Sequence, residues 1–419
     1  MQVPKVSEGR RWRLGLAATL LAAALVIVAA AFGSTAKSSS PAKSTAGGYG
    51  EVYKASPAIL KKTLFDAKLL PPAGMARNIA LAAYGRASKK VDYNLALRCW
   101  KNDGCKTGTG GKLTVAYVEP FGENVYRHIS KMEFILQALT YKSIGRIIYK
   151  SAHSNPTQAL TDFRAVISQG ADAIVSYPDF GDAAIPVFRE ATRRHIPVVT
   201  YAWGYVTGPG KNYTAVVGEN VCKLGRAYAK IMNKYVKSGE IAFMGGFPGN
   251  PLSAGWQKCE RPALNKNIKV VATEPTNWDA SKVQQVVSGI LAAHPKIKGW
   301  SYEYGLGMAQ GAFQAYKAAG KPFNAVLTLR TDDVGMGCKT RALKNPKLKV
   351  YYYTAGNSQI RVALTAAMMK LKGAKIPPKI VFPIQLQNEA KRTECVKGYP
   401  TEASATSLVP LKLLHRMYP

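Results

Sequence analysis

The chain is short of acid: 24 Asp+Glu stand against 58 Lys+Arg in 419 residues, a formal net charge of +34. The excess of base is spread along the whole length, and aromatic-plus-basic clusters that stack bases are few, so no nucleic-acid partner is expected. A solvated basic surface is the first reading of the charge, and attraction to an anionic envelope or membrane the second. Histidine is scarce too. His128, His153, His195, His294 and His415 stand singly, which gives a His-based metal site no support. The chain has no Gly-x-Ser-x-Gly elbow, no His-Glu-x-x-His and no evident Cys/His pairing, so nothing points to catalysis or to a cofactor. Cys-x-x-Cys is missing as well, against zinc and thioredoxin-like readings. The glycine-rich TGTGGK (107–112) fails as a phosphate loop. No Gly stands five before Gly111, and Lys112 runs into Leu113 and a strand pattern instead of Ser/Thr and a helix.

What is present is alternation. LTVAYVE (113–119), GRIIYKSA (145–152), AIVSYP (173–178) and PVVTYA (197–202) are short, apolar, rich in β-branched or aromatic residues, and each precedes a turn signal. Helix-length segments lie between them. In PTQALTDFRAVISQ (156–169), Ala159, Leu160, Phe163, Val166 and Ile167 make one stripe. A second series follows: strands at 214–220, 240–246, 268–275 and 350–355, helices at 222–236, 252–264, 279–294 and 358–372, and a last strand near IVFPI (380–384). Alternating β and α predict parallel sheets with helices on both faces, and two such series in tandem predict two α/β lobes with a cleft between them. Ligands in these folds bind beyond the carboxyl ends of the strands. Function is therefore expected in the loops after Glu119, Ala152, Pro178 and Ala202.

The amino end has the layout of an export signal. RRWR (10–13) precedes an apolar run from Leu14 to Phe32, and small residues follow, Ala29 to Ala31 or Ser34 to Ala36 offering cleavage sites. The run is long enough for an uncleaved anchor to remain the alternative. Residues 37–50 read as a flexible linker, and 51–98 as a helical extension broken by Pro57, Pro71, Pro72 and Gly74, with 76–87 its best helix. Six cysteines, an even number, suit an oxidising compartment. Cys99 and Cys105 bracket a short polar loop, Cys222 and Cys259 lie on two predicted neighbouring helices, and Cys338 and Cys395 remain. Three disulfides in that pairing are the expectation.

The order of motifs resembles the periplasmic sugar-binding proteins of the ribose-binding type over roughly 112–390. FGENVYR follows the first strand, then come SNPTQALTDFRAVISQGADAIVSYP, IPVVTYAW, VVGENVCKLGRAYAKIM, GEIAFMGGFPGNPLSAGWQK, WDASKVQQVVSGILAAHPKIKGW, MAQGAFQAYKAAGK, VLTLRTDD and SQI. The resemblance implies an exported, monomeric receptor that closes two lobes on a small sugar, polyol or similar ligand and hands it to an ABC permease. It implies a type I periplasmic binding protein fold: a signal or anchor over 1–36, linker and extension over 37–111, an N-terminal lobe of 112–205 and 355–382, and a C-terminal lobe of 206–354 and 383–419. The lobe crossings would fall near 203–211, near 330–334 or 353–357, and near 383–390.

The alignment also implies a site. Phe121, Glu123, Asn124 and Tyr126 fall in the first loop, Phe180 after the third strand, and Trp256 and Trp278 at second-lobe positions. Polar orientation would come from Glu123, Asn124, Glu303, Asp332 and Gln359, with Tyr304 a further ligand-binding candidate. Most polar residues of ribose-type members are replaced while aromatics persist, so pentose specificity does not carry over. An aromatic wall suits the apolar face of a sugar ring or a flat heterocycle. Two other functions use this fold. A lactose-repressor-like regulator needs a helix-turn-helix in the first sixty residues, where this chain has an apolar segment instead. The ligand-binding subunit of a sensor or chemoreceptor would differ from a transporter subunit only in its partner.

Overall fold

The structure, a computed structural model, describes residues 55–419 apart from 65–66, 123, 202–205, 355, 389–394, 396–397 and 402. The expected signal or anchor, the linker at 37–50 and Glu123 lie outside the described residues. In chain order the first strands are β1 (Gly104–Lys106), β2 (Leu113–Glu119), β3 (Ile144–Ser151), β4 (Ala173–Ser176), β5 (Val198–Tyr201) and β6 (Ala215–Gly218). Then come β7 (Gly239–Gly245), β8 (Ile268–Pro275), β9 (Gly299–Ser301), β10 (Val326–Leu329), β11 (Lys349–Tyr352), β12 (Lys379–Val381) and β13 (Gln387–Asn388). They form two sheets, ordered β1-β3-β2-β4-β5-β6-β12 and β13-β11-β10-β9-β7-β8. Every pairing is parallel except those of the edge strands β1 with β3 and β13 with β11. This is the type I periplasmic binding protein fold.

The parallel strands are near-continuous apolar runs because helices cover both faces. Val115, Ala116, Tyr117 and Val118 of β2 are all fully buried. At the strand-to-helix turns the chain repeats one device. Asn124, Asn155, Asn220, Asn250 and Asp279 each cap the following helix by accepting a backbone N–H in its first turn. The capped helices are Val125–Ala138, Pro156–Ser168, Val221–Tyr235, Pro251–Glu260 and Ala280–Ala293.

Three disulfides are present, Cys99–Cys105, Cys222–Cys259 and Cys338–Cys395. The first ties helix Tyr93–Lys101 to β1. The second joins helices Val221–Tyr235 and Pro251–Glu260, which approach so closely that a Cβ on Gly225 would collide with the backbone carbonyl of Trp256.

Strand pairing moves one of the expected boundaries, and hydrogen bonds of the tail move another. β6 was expected in the C-terminal lobe, but it pairs in parallel with β5 and β12 in the seven-stranded sheet. The first crossing is therefore at 219–220, not 203–211. Residues 206–218 read as turn and strand whichever lobe they join, and only the pairing decides. The second crossing runs through 353–358, and the third through 382–386 into β13. The tail does not stay in the C-terminal lobe either. Ser407 and Leu408 bond to Glu133 on the N-terminal lobe, and Arg416 on helix Leu411–Met417 bonds to Asn94 of the extension. The extension itself packs on the same lobe, where Trp100 Nε1 donates to the carbonyl of His128 at 3.0 Å.

Candidate functional site: the cleft between the lobes

The carboxyl ends of β2 and β4 bring the first half of the cleft together. Glu119, the last residue of β2, is fully buried and accepts the hydroxyls of Tyr117 and Tyr149, each at 2.6 Å. Arg127, in the first turn of helix Val125–Ala138, reaches back to Glu119 at 3.3 Å and across to Asp179 at 2.7 Å. Its guanidinium carbon sits 3.3 Å from the centre of the Tyr177 ring, so the cation is both paired and stacked. Asp179 follows β4. Burial pushes its carboxyl up to about 7, and Arg127 only partly offsets this. The neighbouring carboxylates of Glu119 and Glu303 work against the arginine and add to the rise.

The second half comes from β8, β9 and β10. Glu303, two residues beyond β9, accepts the indole N–H of Trp256 on one oxygen (2.7 Å) and that of Trp278 on the other (2.8 Å). Burial raises the Glu303 carboxyl pKa against these hydrogen bonds. Asn277 and Trp278 both have φ of 53°, the left-handed region, which is costly for a bulky side chain and turns the indole back toward Glu303. Room for the ring is made by Gly246, where a Cβ would fall inside the indole. Thr331 donates its hydroxyl to Asp333 at 2.6 Å and accepts the amide of Gly305 at 2.8 Å, fixing the loop after β10.

The halves meet. Phe121 of the first loop packs edge-on against Trp278 (5.3 Å between centroids), and Phe180 lies 5.8 Å from Phe247. Arg330, at the end of β10, donates to the Tyr177 hydroxyl of the other lobe at 3.4 Å and to Glu219 at the first crossing. The cavity left between the lobes is lined by Asn124, Tyr126, Arg127, Tyr177 and Leu252 together with Trp278, Glu303, Tyr304, Arg330 and Thr331. Two guanidinium groups thus stand among four carboxylates, those of Glu119, Asp179, Glu219 and Glu303. Asp179, raised to about 7, is in part protonated near neutral pH, which reduces the surplus of negative charge.

Of the residues expected from sequence, Asn124, Tyr126, Trp278, Glu303 and Tyr304 line this cavity. Asn124 does so with its side-chain oxygen already committed to capping the helix. Phe121 backs Trp278, and Phe180 sits against Phe247. Trp256 is fully buried behind Glu303 and orients it without facing the cleft. Asp332 and Gln359 do not line the cavity. Both Asp332 oxygens are occupied by Ser404 and Thr406 of the tail, and Gln359 opens helix Gln359–Leu371 beside Tyr353 and Tyr84 at the second crossing. Arg127, Tyr177, Asp179 and Arg330 were missed. The available signal was position: Tyr177, Asp179 and Arg330 each lie within three residues of a strand's carboxyl end.

Residues 116–375 match the periplasmic binding protein domain family. The chain belongs to that family. Among curated relatives, the ribose import binding protein of Bacillus subtilis is 25% identical over 244 residues, covering 58% of this chain and 77% of the relative. The D-allose-binding periplasmic protein of Escherichia coli is 32% identical over 122 residues, 28% of this chain and 39% of that one. Among solved structures, a periplasmic solute-binding protein of an ABC transporter from Actinobacillus succinogenes, with bound D-allose, superposes with a TM-score of 0.58. It is 22% identical and covers 67% of this chain and 99% of its own. An ABC transporter solute-binding protein from Bacillus halodurans with bound myo-inositol gives 0.59 at 19% identity, covering 68% of this chain and 96% of its own. At these identities the superpositions show a shared fold.

Proposed function

We propose that this chain is the extracytoplasmic solute-binding subunit of an ABC importer, closing its two lobes on a small neutral sugar or polyol and delivering it to a membrane permease. The observation that carries this reading is the composition of the cleft. Aromatic rings from both lobes, Tyr126 and Tyr177 on one side and Trp278 and Tyr304 on the other, flank two guanidinium groups already paired with carboxylates. Rings suit the CH faces of a pyranose, furanose or cyclitol. Paired charges present hydrogen-bonding atoms to hydroxyls while repelling neither sign of net charge enough to demand an ionic ligand. The names of the relatives agree, since the curated ones are ribose and D-allose binders and the solved ones hold D-allose or myo-inositol. Three disulfides suit the oxidising side of a membrane.

The test is a thermal-shift screen of the purified chain against pentoses, hexoses, inositols, uronic acids and amines. A ligand that binds only the folded state stabilises it by about 2.7 kcal/mol at a hundredfold excess over Kd. A rise in Tm with a neutral sugar or polyol is expected. A rise only with an organic anion or an amine would overturn the assignment of ligand class.

A further inference from the structure

The family match ends at residue 375, but the chain continues, and its last segment makes a fourth passage between the lobes. Upstream, the tail is fastened to the C-terminal lobe. Cys395 is bonded to Cys338 on helix Val334–Leu343, and the amides of Val334 and Gly335 donate to the carbonyls of Ala403 (2.9 Å) and Thr401 (2.7 Å). Downstream, it is fastened to the N-terminal lobe and its extension, with Leu413 and Leu414 fully buried. The change of lobe takes place in a single peptide step. Asp332 of the C-terminal lobe accepts the Ser404 hydroxyl (2.6 Å), the Thr406 amide (3.0 Å) and the Thr406 hydroxyl (2.7 Å). Glu133 of the N-terminal lobe accepts the Ser407 hydroxyl (2.8 Å) and the Leu408 amide (2.6 Å), while its other oxygen is held by Arg361. Both carboxylates are buried, Asp332 at 2% exposure and Glu133 at 0%. Thr406 also touches the second crossing through the Thr354 hydroxyl at 2.9 Å.

We propose that residues 403–419 are a strap that pins the hinge, the Thr406–Ser407 step fixing the pivot about which the lobes turn and restricting how far they open. The geometry is simple. Consecutive Cα atoms are about 3.8 Å apart, so two grips on neighbouring residues cannot separate unless one lets go. Letting go leaves a buried carboxylate without its charge-assisted donors, which is costly. Rotation about the step leaves both grips intact, whereas splaying of the lobes at this edge breaks one. Cys338–Cys395 keeps the tail in register on one side, and the helix Leu411–Met417 keeps it there on the other.

The experiment needs no solute, so it stands or falls separately from the ligand assignment. Spin labels on unnatural residues replacing Thr157 and Gln285, exposed residues in the two lobes, report the distance across the cleft mouth by pulsed dipolar spectroscopy in the ligand-free protein. Ser404→Ala with Thr406→Val removes two of the three grips on the Asp332 carboxylate, leaving only the Thr406 amide. We expect a longer mean distance and a broader distribution by several ångströms. Asp332→Asn, which keeps the shape of the side chain and serves if the double variant does not fold, is expected to shift the same way. Lys412→Ala, an exposed residue of the same tail that takes no part in either grip, is expected to leave the distribution as in the parent. Parent-like distributions in folded Asp332→Asn and in the double variant would overturn the strap, as would an equal broadening in Lys412→Ala.

Discussion

Trp278 donates its indole N–H to Glu303 Oε2 at 2.8 Å while its ring meets Phe121 from the opposite lobe. One side chain is therefore both a wall of the cleft and a donor to a buried carboxylate. At 8% exposure it is not an open surface. Trp278→Ala is expected to weaken sugar or polyol binding by about ten- to a hundredfold through lost stacking. It is also expected to lower ligand-free stability by about 2–4 kcal/mol, since a large buried ring is lost and Glu303 loses a donor. Trp278→Phe separates the two roles: it keeps most of the ring but strands the carboxylate oxygen. Titration calorimetry and urea unfolding on both variants measure the two effects, and an unchanged affinity in folded Trp278→Ala would remove the ring from the site.

Gly246 gives a second, purely steric handle on the same indole. A methyl there would overlap the Trp278 ring, and no positive φ at this glycine confuses the effect with backbone strain. Gly246→Ala is expected to rotate or expel the indole, cost about 1–3 kcal/mol of stability as other overpacked substitutions do, and change tryptophan fluorescence. A parent-like emission spectrum with parent-like affinity would show that the ring has room to yield.

Most of the fold was legible because it rests on local patterns. LTVAYVE became β2 and IKVVATEP became β8 at the residues expected, β2 because a strand covered on both faces is a near-continuous apolar run, and β8 because its β-branched residues favour an extended chain even at the sheet's edge, where it is only partly buried. The helices after Asn155 and Asp279 began where cap and apolar stripe agreed. The lobe assignment of 215–218 was not legible, because strand pairing is decided by distant partners, here β5 and β12. The site was half legible for the same reason. Trp278 and Glu303 stood out as residues at strand ends, but Arg127 gains its meaning only from Glu119 and Asp179, which lie eight residues before it and 52 after it. Asp332 was placed in the site by resemblance, and a tail hydroxyl far along the chain, on Thr406, takes its carboxylate instead.

Asp179 makes the stability of the fold depend on pH. Its carboxyl is raised from the ordinary 3.8 to about 7, chiefly by burial. Between those values the native state holds a proton that the unfolded chain has released. The contribution to stability is therefore complete below the lower value and lost as pH rises through the higher one. Asp333, raised to about 7 by burial, acts in the same direction. Urea midpoints are expected to fall between about pH 4 and about pH 7, and Asp179→Asn, which cannot ionise, is expected to flatten part of that slope. A slope as steep in Asp179→Asn as in the parent would mean that Asp179 stays ionised beside Arg127.

The disulfides allow a graded test of how the chain is held. Their cysteines are 6, 37 and 57 residues apart for Cys99–Cys105, Cys222–Cys259 and Cys338–Cys395. Cross-linking removes more disorder from the unfolded chain as the closed loop grows, which suggests losses of about 2, about 4 and about 4 kcal/mol when each pair is changed to serine. Cys222→Ser with Cys259→Ser is the most direct case, because its helices are already in close contact at Gly225 without the cross-link. Chain-entropy reasoning then leaves the native contacts unchanged and predicts a lower urea midpoint with a steeper slope, because the released unfolded chain exposes more surface. Thiol titration of the denatured, unreduced parent is expected to find no free cysteine. Six reactive thiols in protein recovered from outside the cytoplasm would sink both the cross-links and the oxidising compartment inferred from them.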